Sequence, residues 1–469
     1  RRGMRIRKSI SVIFAGLMLI VVSGCAGNTA NSNVQPQMGN VFTLGTDAQP
    51  MFPSVISFDV TITGITVNNS GGSLPVLLNS VDIDFAKLSG LHDLVDLEPV
   101  QPGSYDSVTI TGNTPVIGYL DTTQTPPALN TINGTPGTFS VTVPLASTLV
   151  VTPNDLVGLL IDLDLAQTIE TQNGQVTGTI NPTFNVRALI SGQSDAEIDC
   201  FRGGVTNIDT TSTTFAMEGP HGRTWTVATN AQTNWDDNSS FGALTTNSIV
   251  EVSGQLDPVT HNIDADEVGI LSQDHFFAGG LATYVNPQTP NPATQVQVYV
   301  RSELPDVQPV APIGAIDSFT LDGSEKYFIG DFHNPLTVLL FNNTTLAPGQ
   351  RLGIGGALNG SGSSQTLTVH RVTLGRQGQE GTWVPGSTQI QSGNLGTFQI
   401  NDNYLAGVLL PQPLTVVSTT FTNYINLSGL SALTGAGPFD LRIVGFILVD
   451  QQTGQQEMVA RSVELLSTM

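Results

Sequence analysis

The sequence predicts an all-β protein: an N-terminal antiparallel β-sandwich over residues 41–192, then three small β-barrel repeats over 200–275, 276–378 and 387–469. Three observations carry this reading. Charged residues fill 12% of the 469 positions, well below the roughly 25% of an ordinary soluble protein, and the polar remainder is Thr, Ser, Asn and Gln, which suits short strands and turns better than surface helices. The 49 glycines and 27 prolines punctuate the chain, yet 39% of residues are hydrophobic, so a core can be buried. A strand pattern with an internal glycine recurs three times in the second half.

At the N-terminus, Arg5, Arg7 and Lys8 precede an apolar run, Ile10 to Val22, of 13 residues, short of the roughly 20 that a membrane-spanning helix needs. The run closes on Val22-Ser23-Gly24-Cys25, which resembles a bacterial lipobox: an aliphatic residue, two small residues, then cysteine. The resemblance implies that residues 1–24 are a signal peptide, with Met4 as the start, and that Cys25 takes a diacylglyceryl thioether. The membrane is then a partner through that anchor, which more than one acyl chain makes stable because each buried methylene contributes about 0.8 kcal/mol. Ala26, where Asp would signal retention, implies the outer membrane or cell surface of a bacterial envelope. Residues 25–40 hold almost no large apolar side chain and read as a flexible tether.

From Val41 the text becomes strand-like. Val55, Ser57, Asp59, Thr61 and Thr63 alternate with Ile56, Phe58, Val60, Ile62 and Gly64, and Asp162 and Asp164 alternate with Ile161, Leu163 and Leu165; period two marks half-buried strands, and their regular spacing marks a sandwich. The one helical hint is Phe85 to Leu91. Thr46-Asp47-Ala48, Asp96-Leu97-Glu98, Pro102-Gly103-Ser104-Tyr105 and Ile161-Asp162-Leu163-Asp164 together resemble an uncharacterised lipoprotein domain, one of the domain-of-unknown-function families. That family usually has proline straight after Thr-Asp-Ala, whereas Gln49 intervenes here before Pro50. The resemblance implies architecture and location and no chemistry.

Beyond it, the strings from Ile249, Arg351 and Leu441 align on Gly254, Gly356 and Gly445, with Val252, Ile354 and Ile443 two residues before and Leu256, Leu358 and Ile447 two after. Each is followed by a returning strand (Ile263, Ala265, Val268; Leu367, Val369, Val372; Met458, Ala460, Val463) and preceded by a strand phenylalanine (Phe215, Phe319, Phe398). A repeat of this kind is one supersecondary unit used again, and a glycine inside its strand marks a bulge or a corner where a side chain would clash. The pattern resembles small secreted OB-like barrel modules, mostly uncharacterised, with a proline-rich insertion in the second copy near Pro305, Pro309 and Pro312.

The net charge is −22, and five of the sixteen bases lie in the first eight residues, so the remaining surface repels phosphate backbones and a nucleic-acid role is excluded. Cys200 stands alone after Cys25 and reads as a small buried hydrophobe, leaving no Cys-based zinc site. No phosphate loop, dinucleotide fingerprint or nucleophile elbow occurs, so no cofactor is expected. His92, His221, His261, His275, His333 and His370 are scattered without ligand spacing. Asp162 with Asp164, and Asp264 with Asp266 and Glu267, put carboxylates along strands, an arrangement that serves calcium or glycoside hydrolysis only inside a cleft and otherwise makes a solvated face. Of three tryptophans, Trp225 and Trp383 are expected in strands and core, while Trp235 with Asp236 and Asp237 forms a polar loop suited to stacking on a sugar. Three classes of function remain: a non-catalytic module at the envelope for a glycan, wall or protein ligand; a polysaccharide hydrolase using Asp264 and Asp266; and a structural spacer.

Overall fold

In the strand Val55–Asn69, Phe58, Val60 and Ile62 are buried while Asp59 and Thr61 are half-buried and Thr63 is exposed on the other face, as a pleat with one greasy face requires. The structure, a computed structural model, describes residues 37–48, 55–88, 90–173, 175–193, 196–219, 222–236, 239–305, 310–330, 339–360, 365–402, 409–435 and 437–468. The lipobox residues Val22, Ser23, Gly24 and Cys25 lie outside them, as does Asp237. Strands dominate, and the α-helix Leu165–Thr168 and a 3-10 turn at Phe85–Lys87, where the sequence hinted at helix, are short.

Two sheets make the N-terminal layers. One orders Phe184–Ile190, Leu156–Asp164, Gly39–Ala48 and Asp93–Val100. The other orders Gly72–Leu77, Val55–Asn69, Gly103–Asp121 and Ala128–Asn133, with Val81–Asp84 and Thr138–Val151 attached. The sandwich is mixed rather than wholly antiparallel, because Gly39–Ala48 runs parallel to Leu156–Asp164, from Asn40 opposite Leu156 to Ala48 opposite Asp164. The reason is burial on both faces, the usual setting of parallel strands. Leu159, Ile161 and Leu163 face the sandwich core, and Leu160 with Phe42 and Leu44 faces a second core shared with the next sheet. At the contact the Phe42 ring lies where a Cβ on Gly158 would be.

The rest of the chain builds three further sheets around five main strands each. The first uses Ile198–Asp209, Thr214–Glu218, Thr224–Ala228, Ile249–Leu256 and Ile263–Ser272; the second Phe277–Asn286, Gln295–Leu304, Ile316–Thr320, Arg351–Asn359 and Thr366–Leu374; the third Gln377–Trp383, Leu395–Asp402, Leu414–Ser418, Phe439–Asp450 and Gln456–Thr468. Numbered within each set, the order is 3-2-1-4-5 every time. In the first and third sets the third and fifth strands pair in parallel and close a small five-stranded barrel. In the second, the short strand Lys326–Ile329 takes that parallel place on the fifth strand. The first strand of the third set begins at Gln377.

The glycine triplet has one structural cause. At Gly254, Gly356 and Gly445 the fourth strand is register-shifted against the fifth. A Cβ added there would sit on a backbone carbonyl oxygen of the fifth strand, that of Asp264, Thr368 or Val459, so no larger residue fits. Each shift leaves one fifth-strand residue without an opposite number: Asp266, His370 and Arg461.

Candidate functional site

A cleft of about 630 Å³ opens where the N-terminal layers, the first barrel and the third barrel meet. Its size is that of a small-molecule site. Seven segments supply it, one of them at Asn234. Gly90 and His92 come from the turn leading into Asp93–Val100, and Glu197 and Asp199 from the start of the first barrel. Arg376 comes from the joint before Gln377, Thr419 and Phe421 from the loop after Leu414–Ser418, and Arg442, Arg461 and Glu464 from the last two long strands. Arg461 reaches the cleft because it is the residue left over at the Gly445 bulge, a device that re-aims a side chain.

Reciprocal hydrogen bonds fix the floor. Asp199 N donates to His92 O at 2.7 Å, and His92 N donates to Asp199 Oδ2 at 3.1 Å. Burial holds the His92 imidazole below its usual value despite the pull of Asp199, and its Nδ1 lies 3.2 Å from the Glu197 carbonyl. Arg376 Nη2 donates to Ser253 Oγ at 2.6 Å, and the guanidinium lies 3.7 Å from both Asp199 and Glu267. Arg461 meets the same Glu267 oxygen at 3.7 Å. Burial, with Asp236 and Glu251 close by, pushes the Glu267 carboxyl up to about 7 in spite of these two cations. Burial and then Asp199 push Glu197 up as well. On the third barrel Arg442 donates to Glu380 Oε1 at 2.7 Å and lies 3.5 Å from Glu464.

The wall therefore interleaves guanidinium donors (Arg376, Arg442, Arg461) with carboxylate acceptors (Glu197, Asp199, Glu464). Two apolar side chains stand at its edge, Phe421, which is 67% exposed, and Ile425. A polyhydroxylated ligand matches this pattern, since a hydroxyl both donates and accepts and a pyranose face is apolar.

The residues singled out from sequence sit elsewhere. Trp235 is half-buried on a short strand beside Ile263–Ser272 and packs edge-on against Phe241 at 6.3 Å. Asp236 is buried against Gly269 rather than displayed on a loop. Only their neighbour Asn234 lines the cleft among residues 234–236. The loop is drawn inward because Asn234 and Trp235 pair with Glu267 and Val268. Asp264 and Asp266 are exposed beside a shallow hollow of about 190 Å³, whereas Glu267, beyond the bulge, is buried beside Arg376 and Arg461. Trp225 is buried against Phe201 at 5.8 Å, under the Arg223 guanidinium at 4.5 Å. It edges a second cavity of about 450 Å³, in which Arg223 is paired with Asp96. Trp383 is buried. His92 is the only histidine among the described residues that lines the large cleft. Among those residues no set of three or more His, Cys, Asp or Glu side chains is arranged to hold a metal ion, and no helix is long and apolar enough to cross a membrane.

Sequence reasoning missed Arg376, Arg442 and Arg461. Their rarity was the available signal: three of the eleven cations beyond Lys8 converge on one cleft. No curated protein matches the chain. Residues 202–269, which span most of the first barrel, match the family described as a domain of unknown function, DUF5666.

Proposed function

We propose that this is a non-catalytic binding protein of a bacterial cell envelope, tethered through a lipidated Cys25, which presents three tandem OB-like modules and holds a neutral glycan in the large cleft. The observation that carries the ligand is the alternation of arginine and carboxylate groups beside the exposed Phe421 in a cavity of about 630 Å³. The cleft lining balances in charge while the chain carries −22, which favours an uncharged ligand over an anionic one. The lipobox sequence supports the anchor, and labelled palmitate is expected to enter the wild type and to fail to enter Cys25→Ala.

A glycan-array screen followed by calorimetry tests the ligand. Saturable binding is expected, weakened about 2- to 10-fold by Phe421→Ala, the range that loss of an aromatic contact gives. Absence of any saturable glycan would leave the spacer reading. The hydrolase reading finds better support at this cleft than at Asp264 and Asp266. Glu197, whose carboxyl burial and then Asp199 push up, and Asp199, ion-paired to Arg376, are carboxyl groups in unlike surroundings, the pattern of an acid paired with a base or nucleophile. Released sugar from a polysaccharide panel, lost in Glu197→Gln, would decide for that reading.

A further inference from the structure

A small cavity of about 60 Å³ lies deeper, where the N-terminal layers meet the first and second barrel sets. Lys87, Arg202, Arg301 and Arg351 all line it, four of the eleven cations found beyond Lys8 in a strongly acidic chain. Two carboxylates share the lining, and both are engaged: Asp93 with Lys87 at 3.1 Å and Asp199 with Arg376 at 3.7 Å.

Hydrogen bonds and ion pairs hold the cationic groups in place. Arg202 pairs with Glu251 at 2.6 Å and donates from Nη1 to Ser302 Oγ at 3.2 Å, with its guanidinium 5.3 Å above the Phe277 ring. Arg351 Nη1 donates to Arg376 O at 3.0 Å. Arg301 is 9% exposed at its side chain and donates from Nη2 to Ile56 O at 2.6 Å. Its Nε, 3.4 Å from Asp84 Oδ2, makes no hydrogen bond although it is buried. A buried donor left unmade is costly. The field these groups create is visible at Glu251. Burial raises its carboxyl, yet Arg202, Arg351 and Arg376 outweigh that and hold it below its ordinary value.

We propose that this cavity is a halide site, in which a chloride ion accepts from Arg202, Arg301, Arg351 and Lys87 and ties the N-terminal layers to the first two barrel sets. The volume, about 60 Å³, is well below the roughly 300 Å³ at which small-molecule sites begin, so a monatomic anion fits and a sugar does not. Chloride accepts from several donors at once and brings the negative charge that water lacks. A ligand that binds only the folded state raises its stability in step with occupancy.

Thermal unfolding of the full chain in sodium chloride, compared with sodium gluconate at equal ionic strength, tests the site. The expected result is a melting temperature that rises and saturates with chloride alone, and an increment lost in Arg301→Gln and in Arg351→Gln. Crystals of the wild type grown with bromide are expected to give an anomalous peak between these side chains, which decides the matter if either variant fails to fold. Equal melting temperatures in the two salts, an increment retained in both variants, or water in place of bromide would each overturn the proposal.

Discussion

The residue that each bulge leaves unopposed is where the three repeats diverge: Asp266 is exposed, His370 meets Asp274 at 2.7 Å, and Arg461 reaches across to Glu267 of the first barrel. The glycine opposite is the part the repeats share, because the constraint there is a backbone carbonyl and no choice of side chain relieves it. Gly356→Ala is therefore expected to cost about 1–3 kcal/mol, the usual range for overpacking, as read from urea unfolding. Gly204→Ala is the control. Its added methyl group would meet only Ile249 Cδ1 at an ordinary 3.7 Å, so a change within about 0.5 kcal/mol is expected. The same contrast explains what could be read in advance. A steric rule that repeats at a fixed offset leaves a mark in the sequence. Arg461 leaves none, since the bulge selects only its position.

At the scale of elements, the joint between the second and third sets decides how the cleft is charged. Gly375 and Arg376 link the strands Thr366–Leu374 and Gln377–Trp383, and Arg376 turns to Asp199, Ser253 and Glu267 of the first barrel. Glu267, between Arg376 and Arg461, carries a carboxyl pushed up to about 7 from 4.5, first by burial and then by Asp236 and Glu251. The folded state thus holds this proton more tightly than the unfolded chain does. Its contribution to stability is complete below about pH 4.5 and is lost as the pH rises through about 7. Glu267→Gln, which keeps the neutral form, is expected to match the wild type near pH 5 and exceed it at pH 8, by up to about 3 kcal/mol at 1.36 kcal/mol per pH unit. Chemical unfolding of both proteins across that range measures it, and parallel curves would contradict the assignment. The cleft itself was not legible in the sequence, because its walls come from seven segments between residues 90 and 464 and no spacing rule links them. The strands were legible, since each carries its own alternation. The parallel pairing of Gly39–Ala48 with Leu156–Asp164 was not, because it joins segments more than a hundred residues apart and depends on burial of both faces.

Across the whole molecule the cores do not follow the sheets. The sandwich core continues through Tyr105, Leu163 and Phe184 into Trp383, Phe398 and Ile443 of the third set. The opposite face of the parallel pair contributes Phe42, Leu44 and Leu160 to the core of the first barrel beside Phe201, Phe215 and Val252. The second set shares its core with Phe446, Leu448 and Val459 of the third, and residues 37–469 form one compact unit. Barrels of this size are short of apolar volume on their own, and borrowing a neighbour's face supplies what each lacks. Two-state unfolding across the sheets follows if those shared cores set the stability. Phe42→Ala tests it, because the ring is buried in the first-barrel core but belongs to the N-terminal layers. The expected cost is about 3–5 kcal/mol, with amide protection lost in the same proportion along Gly39–Ala48 and along Ile249–Leu256 of the first barrel. Protection lost in Gly39–Ala48 alone would mean that the first barrel keeps a core of its own, and cooperativity would then stop at that boundary.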